Sequence, residues 1–201
     1  MKRFILILFL PATILGFDLR GLLVNPKVTK GALEVKYRWQ RTSRNFEESA
    51  ELKVVYNTAS DLNSLSVYEG ERIIGTVFYD KNGNVVKQDI SGRLWENLKT
   101  EQQGLFPDYK VVRTSKTNVG NKTCDLVVSE RTHVQEDSKG NLLMKTTVRS
   151  QKRELYDAER GILIKQEIDT EVKQETYIKF DMQRPLNTRV NNILEKLELK
   201  E

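Results

Sequence analysis

The sequence is poor in the residues that build reactive and metal-binding sites. It contains one cysteine, Cys124, and one histidine, His133, among 201 residues. A single cysteine excludes an intramolecular disulfide, so folding must rely on a buried core. Two candidate ligands also fall short of the four Cys or His side chains that a structural zinc site generally needs. The sequence therefore predicts no metal centre and no cofactor.

The two reactive residues are also badly spaced for a catalytic pair. Cys124 and His133 lie nine residues apart on one predicted strand, and an odd spacing puts side chains on opposite faces of a strand. A phosphate-binding Gly-x-x-x-x-Gly-Lys, a Gly-x-Gly-x-x-Gly and a Gly-x-Ser-x-Gly elbow are all absent from the sequence. These observations favour a protein that is not an enzyme. An unrecognised hydrolase stays open, because serines and acids are plentiful.

The sequence also lacks interdomain linkers and clusters of charge of one sign. The chain has only 4 prolines, and no Pro- or Ser-rich stretch divides it. Its 33 Lys and Arg residues are interspersed with 28 Asp and Glu residues, rather than clustered as a nucleic-acid footprint requires. We therefore expect one domain over 17–201 and no nucleic-acid partner.

The N-terminus has the pattern of an export signal. Lys2 and Arg3 precede a mostly apolar run from Phe4 to Gly16, as in a secretory signal peptide. A membrane-spanning helix needs ~20 apolar residues, and Asp18 and Arg20 end the run earlier. We predict that 1–16 is a signal peptide and that the protein is periplasmic or otherwise extracytoplasmic. An uncleaved, weakly anchored segment is the alternative.

Most of the remaining chain alternates between apolar and polar residues. In the clearest strand, apolar side chains occupy every second position: Leu33, Val35, Tyr37 and Trp39. This period of two predicts strands with one covered face and one wetter face, as in an antiparallel sheet. Asn82-Gly83, within Asp80 to Asn84, predicts a tight hairpin loop between two of them.

Two segments have helical spacing instead. Leu94, Trp95 and Leu98 predict a helix over 93–103, with Gly104 as its stop. The second helix is predicted over 186–198, where apolar residues recur at spacings of three and four: Leu186, Val190, Ile193, Leu194 and Leu197. The sequence thus predicts a mainly β fold with one helix near 93–103 and a C-terminal helix.

A covered sheet face can enclose an apolar cavity. Seven residues are the candidates for its walls and for a helical lid: Trp39, Val77, Tyr79, Leu94, Trp95, Leu98 and Leu126. The same residues can equally fill a solid core, and the sequence does not separate the two arrangements.

Three further segments have the pattern of strands and hairpins: Ser64 to Ile74, Val119 to Val128, and Arg153 to Glu167. They resemble the periplasmic lipoprotein-carrier, or lipoprotein-sorting (LolA-like), superfamily, and the last is similar to that family's strand–Asp–turn–Gly–strand hairpin. The resemblance implies a curved, half-barrel-like antiparallel sheet and a lipid or lipoprotein as partner.

The resulting hypothesis is an exported, non-enzymatic binding protein for an apolar or amphiphilic ligand, such as a lipid or a lipoprotein acyl chain. The alternatives are an envelope protein that recognises another protein through a sheet face, an edge strand or the C-terminal helix, and an unrecognised hydrolase.

Overall fold

The computed structural model describes residue 22 and residues 32–58, 62–80, 85–90, 109–178, 181–183 and 185–200. They form eleven strands: β1 (Ala32–Ser43), β2 (Phe46–Asn57), β3 (Asn63–Glu69), β4 (Arg72–Tyr79), β5 (Val85–Ile90), β6 (Lys110–Val119), β7 (Lys122–Lys139), β8 (Leu142–Asp157), β9 (Leu163–Ile178), β10 (Asp181–Met182) and β11 (Leu186–Lys200).

All eleven strands belong to one antiparallel sheet. The order across it is β5-β4-β3-β2-β1-β11-β9-β8-β7-β6, with the short β10 paired to β9. Within the described ranges the sheet is open, and β5 and β6 form its two edges although they are consecutive strands in the chain. The predicted mainly β, antiparallel fold is confirmed, whereas its half-barrel curvature stays a prediction.

The predicted alternation is visible in the burial of β1. Leu33, Val35, Tyr37 and Trp39 are buried, while the residues between them are exposed or half-buried. We call the sheet face that carries Tyr37 and Trp39 the inner face, and the opposite face the outer face. Because adjacent strands are paired in register over most of their length, every second residue in those stretches of β2, β3, β8, β9 and β11 also lies on the inner face.

The predicted C-terminal helix over 186–198 is wrong, because the segment forms β11 in the middle of the sheet. Its buried residues, Val190, Asn192 and Leu194, have the strand period of two. Ile193 lies on the outer face, and Leu197 is exposed where the register with β1 shifts. Asn192 is a polar residue in the buried row, and Ile193 is an apolar residue on the outer face. As a result, the apolar residues of this strand have the spacing of three and four that is typical of a helix.

Two other sequence predictions concern segments that lie wholly or partly outside the described residues. The helix over 93–103 lies outside the described residues, as do 81–84 of the Asn-Gly loop. The strands on either side of that loop, β4 and β5, pair antiparallel, with Tyr79 opposite Val85. Their pairing agrees with the hairpin that the loop predicts.

The turn between β8 and β9 has the hairpin form that the sequence predicted. The Asp157 Oδ1 atom accepts the backbone N–H groups of Glu159 and Arg160, both at 3.1 Å. The N–H of Gly161 donates to the Asp157 carbonyl at 2.7 Å, and Gly161 has a φ of 65°, which glycine adopts without strain. Asp157 therefore organises the turn through both its side chain and its backbone.

Candidate functional site

The inner face is divided into two regions of different chemistry. We call its part on β1 to β4 the apolar half, because its buried side chains are almost all apolar: Leu33, Val35, Tyr37, Trp39, Leu52, Val54, Tyr56, Leu65, Val67, Val77 and Tyr79. Leu22, before β1, packs in the same cluster, and its carbonyl accepts the Tyr56 hydroxyl at 3.0 Å. The apolar half forms most of the core.

The part of the inner face on β7, β8, β9 and β11 is buried as well, but it carries hydrogen-bonding and charged groups. We call it the polar half, and its buried polar members are Ser129, Arg131, Ser150, Lys152, Glu154, Gln166, Thr170, Gln174 and Asn192. Val148, Ile168, Val172 and Val190 alternate with them along and across the strands. Burying polar groups is costly unless they are paired.

Most of the polar half is paired internally. Lys152 Nζ lies 3.2 Å from Glu154 Oε2, and Gln166 Nε2 donates to Glu154 Oε1 at 2.8 Å. The hydroxyls of Ser150 and Thr170, opposite each other on β8 and β9, are 3.1 Å apart. These pairs offset the desolvation of the groups that form them.

Two cations of the polar half face one aromatic ring. The Arg131 guanidinium carbon lies 4.4 Å from the centre of the Tyr109 ring, and Lys152 Nζ lies 4.7 Å from it. Both distances suit cation–π attraction, which is stronger where water is excluded. Tyr109, just before β6, therefore lies against the polar half of the inner face.

Burial shifts the ionisation of the phenols in the apolar half. Desolvation raises the pKa of Tyr37 well above its usual value, and it raises the pKa of Tyr56 strongly too. The Tyr37 hydroxyl donates to the carbonyl of Leu163 at 2.9 Å, which links β1 to the start of β9. These phenols stay neutral at physiological pH and act as hydrogen-bond donors within an apolar surface.

A groove of about 550 Å³ lies elsewhere, mainly on the outer face of β7, β8, β9 and β11. Its charged lining residues are Glu130, Arg131, Arg149, Arg153, Asp169, Glu171 and Arg189. Hydrogen bonds connect neighbours there: Gln151 donates to Glu130 at 2.9 Å, and Asn191 donates to Asp169 at 3.1 Å. Because charged and polar side chains of both signs line it, this groove differs from the apolar cavity that the sequence predicted.

The structure brings three of the seven predicted wall residues to one surface. Trp39, Val77 and Tyr79 are buried on the inner face, in the apolar half. Leu126 lies on the outer face, because its neighbour Val127 is in register with Glu154 on the inner face. Leu94, Trp95 and Leu98 lie outside the described residues.

The polar half is the feature that the sequence did not predict. In β8, inner and outer positions are both polar, so Ser150, Lys152 and Glu154 have no periodicity that marks them as buried. In β11 the period of two is hidden as well, because the apolar Ile193 lies between the buried Asn192 and Leu194. If this segment is interpreted as a strand, the Asn192 amide lies in the same buried row as Val190 and Leu194.

Cys124 and His133 lie on opposite faces of β7, as their spacing predicted. The Cys124 side chain is buried, and desolvation raises the pKa of its thiol, which disfavours the reactive thiolate. Within the described part of the chain, no group of three or more His, Cys, Asp or Glu side chains is placed to hold a metal ion. No helix among these residues has the length and apolarity to cross a membrane.

No family model matches the sequence, and no curated protein matches it. Among solved structures, the chain is similar to the crystal structure of a LolA superfamily protein from Nitrosomonas europaea. The two are 11% identical, the alignment covers 90% of each chain, and the TM-score is 0.28.

Proposed function

We propose that this chain is an exported, non-enzymatic binding protein for an apolar or amphiphilic ligand, of which a lipid or a lipoprotein acyl chain is the best example. The observation that carries the proposal is the division of one buried sheet face into an apolar half and a polar half. An amphiphile has the same division, with a hydrocarbon chain at one end and hydrogen-bonding groups at the other.

The apolar half is the part of the inner face whose chemistry matches a hydrocarbon chain. Trp39, Val77 and Tyr79 are at most 4% exposed and lie on the same face as the rest of the core cluster. Ligand sites of this kind are lined mostly by apolar and aromatic side chains, with a few polar groups that fix orientation. Leu126, on the outer face, is not part of the proposed site.

Export is supported by the sequence of the N-terminal segment, with Lys2 and Arg3 before an apolar run. The two faces on which Cys124 and His133 lie argue against a Cys–His catalytic pair, since this chain has no second thiol or imidazole to replace either. A thiol and an imidazole must be within hydrogen-bond reach to act as nucleophile and base.

The test is native mass spectrometry of the full chain, purified from the envelope of its own host, followed by lipid extraction. We expect a co-purifying amphiphile of defined mass. We also expect the extracted chain to take up the methyl ester of an anthroyloxy-labelled fatty acid saturably, and a non-fluorescent acyl lipid to displace the probe. A ligand-free mass together with no uptake of the probe would contradict the proposal.

A protein-recognition role is a second candidate, because the inner face continues beyond its buried part as an exposed apolar patch. Leu142, Ile178 and Leu186 are 37%, 46% and 43% exposed, and Leu142 and Ile178 are cross-strand partners. Exposed apolar patches often mark interaction surfaces. Loss of envelope proteins from pull-downs with Leu142→Ser/Ile178→Ser would support this role, and unchanged partners would remove it.

A further inference from the structure

Two buried polar side chains lie side by side where the apolar half meets the polar half. Trp39 on β1 is 3% exposed, and Asn192 on β11 is 1% exposed. Trp39 is in register with Leu194, and Asn192 is in register with Arg41, so the two are diagonal neighbours on adjacent strands. Diagonal neighbours are within reach of long and aromatic side chains. We call this pair the junction.

The hydrogen-bonding groups of the junction are unused. Trp39 Nε1, Asn192 Nδ2 and Asn192 Oδ1 are buried and have no hydrogen-bond partner in the part of the chain that the structure describes. Buried polar groups are nearly always paired, because an unpaired one loses its water without compensation. Two donors and one acceptor left open on adjacent residues therefore require an explanation.

The surrounding polar half makes the junction distinctive. Glu154, Gln166 and Lys152 pair with one another, and Ser150 pairs with Thr170. The Arg131 Nε atom and the Tyr109 hydroxyl are also buried without a hydrogen bond there, but the Arg131 guanidinium contacts the Tyr109 ring, whereas Trp39 and Asn192 leave every side-chain hydrogen-bonding atom open among the described residues. An absent partner that supplies both an acceptor and a donor accounts for it.

We infer that the junction binds the uncharged acyl head of the ligand, with its hydrocarbon chain along the apolar half; this inference rests on the proposed function. The indole N–H and the amide N–H both donate to the carbonyl oxygen of an ester or amide. The Asn192 carbonyl oxygen accepts an N–H where the head is an amide. Bound in this way, the head satisfies the groups that are open in the free chain.

The charges near the junction favour an uncharged head over a carboxylate. Trp39 and Asn192 are both neutral, and the nearest cation in register is Arg41, opposite Asn192. The Arg41 guanidinium already lies 3.6 Å from Glu48 and 4.6 Å from the centre of the Phe46 ring. A carboxylate head would therefore be buried without a dedicated counter-charge, which is strongly unfavourable.

The test compares three probes of one chain length, dodecanamide, methyl dodecanoate and dodecane, as competitors of the methyl ester of an anthroyloxy-labelled fatty acid bound to the full chain. The wild-type chain should prefer the amide to the alkane by about tenfold, since each buried hydrogen bond contributes roughly a factor of two to ten. The ester should fall between them, because it offers an acceptor and no donor.

Asn192→Leu and Trp39→Phe remove the hydrogen-bonding groups and keep much of the side-chain size. Each should lower the preference for the amide over the alkane, measured as the ratio of the two affinities in that variant, by about fivefold. Asn192→Leu should also raise the melting temperature of the ligand-free chain, because it removes an unpaired buried amide. Leu194→Met, at the next inner-face position of β11, is the control and should leave the preference unchanged.

The outcomes separate the inference from the function on which it rests. Equal affinity for dodecanamide and dodecane, or an amide preference that survives both substitutions, would overturn the junction as a head-group site and leave acyl binding intact. A lower melting temperature in Asn192→Leu with unchanged preference would show that the amide is structural. Failure of the wild-type chain to bind any probe would overturn the proposed function, and the junction with it.

Discussion

The apolar and polar halves belong to the same face of one sheet and are buried to nearly the same depth. The side chains of one half are almost all apolar, whereas those of the other half include hydrogen-bonding and charged groups. Tyr37, Leu52 and Val54 are at most 2% exposed, and Gln166, Thr170 and Asn192 are as deeply buried. The first group gains free energy by leaving water. The second loses free energy unless each polar atom finds a partner. Depth of burial therefore does not by itself identify what stabilises a region.

The two halves also differ in their expected roles, since the apolar half contributes to stability and the polar half to specificity. Apolar contacts are non-directional, so the apolar half stabilises the sheet without selecting a particular ligand group. Hydrogen bonds require matched donors and acceptors at fixed distances. The 2.8 Å contact between Gln166 and Glu154 and the 3.1 Å contact between Ser150 and Thr170 hold such groups in place. The polar half is therefore the region in which we expect ligand selection.

The largest effect is expected from truncation in the apolar half. Tyr37→Ala removes a fully buried ring, and we expect a loss of about 4 kcal/mol in the free energy of unfolding, as for other buried aromatic truncations. Tyr37→Phe keeps the ring and loses only the hydrogen bond to the Leu163 carbonyl, which should cost about 1 kcal/mol. Urea unfolding measures both, and equal losses would show that the ring packing is unimportant.

Breaking the ion pair of the polar half should have a slightly smaller effect. Lys152→Met leaves Glu154 buried with the hydrogen bond from Gln166 on β9 but without its counter-charge, and we expect a loss of about 3 kcal/mol. Glu154→Met in the same chain removes the stranded carboxyl group. The double variant should therefore recover to within about 1 kcal/mol of the wild type.

The recovery is the informative part of that experiment. If the double variant is no more stable than Lys152→Met, the two side chains do not act as a pair. The polar half would then depend on each cation and carboxylate separately, for example on the contact between Lys152 and the Tyr109 ring.

The turn between β8 and β9 lies outside both halves, and its contribution to stability should depend on pH. Burial opposes ionisation of Asp157, but the Arg160 and Glu159 N–H groups and Lys122, at 3.4 Å, outweigh it and lower the pKa of its carboxyl group. A folded-state pKa below the unfolded value of about 4 contributes stability above that value. This stability is lost as the pH falls through the folded-state pKa.

Asp157→Asn should therefore cost about 1–2 kcal/mol near neutral pH and much less in acid. Urea unfolding of both chains across an acid pH series measures the difference. A difference that is constant with pH would show that the carboxylate charge contributes nothing to the turn.

The smallest loss of stability is expected for truncation of Leu197. The helix that the sequence predicted would bury Leu197 on the same face as Leu194. In the strand, Leu197 is 42% exposed, and Leu197→Ala should cost less than about 1 kcal/mol. Leu194, 1% exposed, is the matched control, and Leu194→Ala should cost about 3 kcal/mol. Similar losses at both positions would favour the helical stripe over the strand.

The same contrast explains how far the sequence predicted the structure. The alternation of β1 and the Asp157–Gly161 turn were predictable, because period-two burial and turn chemistry are local properties. The position of β11 between β1 and β9 was not, because its pairing joins residues far apart in the chain. The burial of Lys152, Glu154 and Asn192 depends on the same long-range pairing, so the polar half was missed with it.

The central claim is that an acyl ligand binds on the inner face, and the fluorescence of Trp39 tests it most directly. The chain contains two tryptophans, so Trp95→Phe leaves Trp39 as the only one. A fatty amide with bromine atoms on its acyl chain quenches an indole only at close range. The account predicts saturable quenching of Trp39 that follows the binding curve of the amide measured independently. Binding of the brominated amide with no quenching of Trp39 would place the ligand elsewhere and contradict the account.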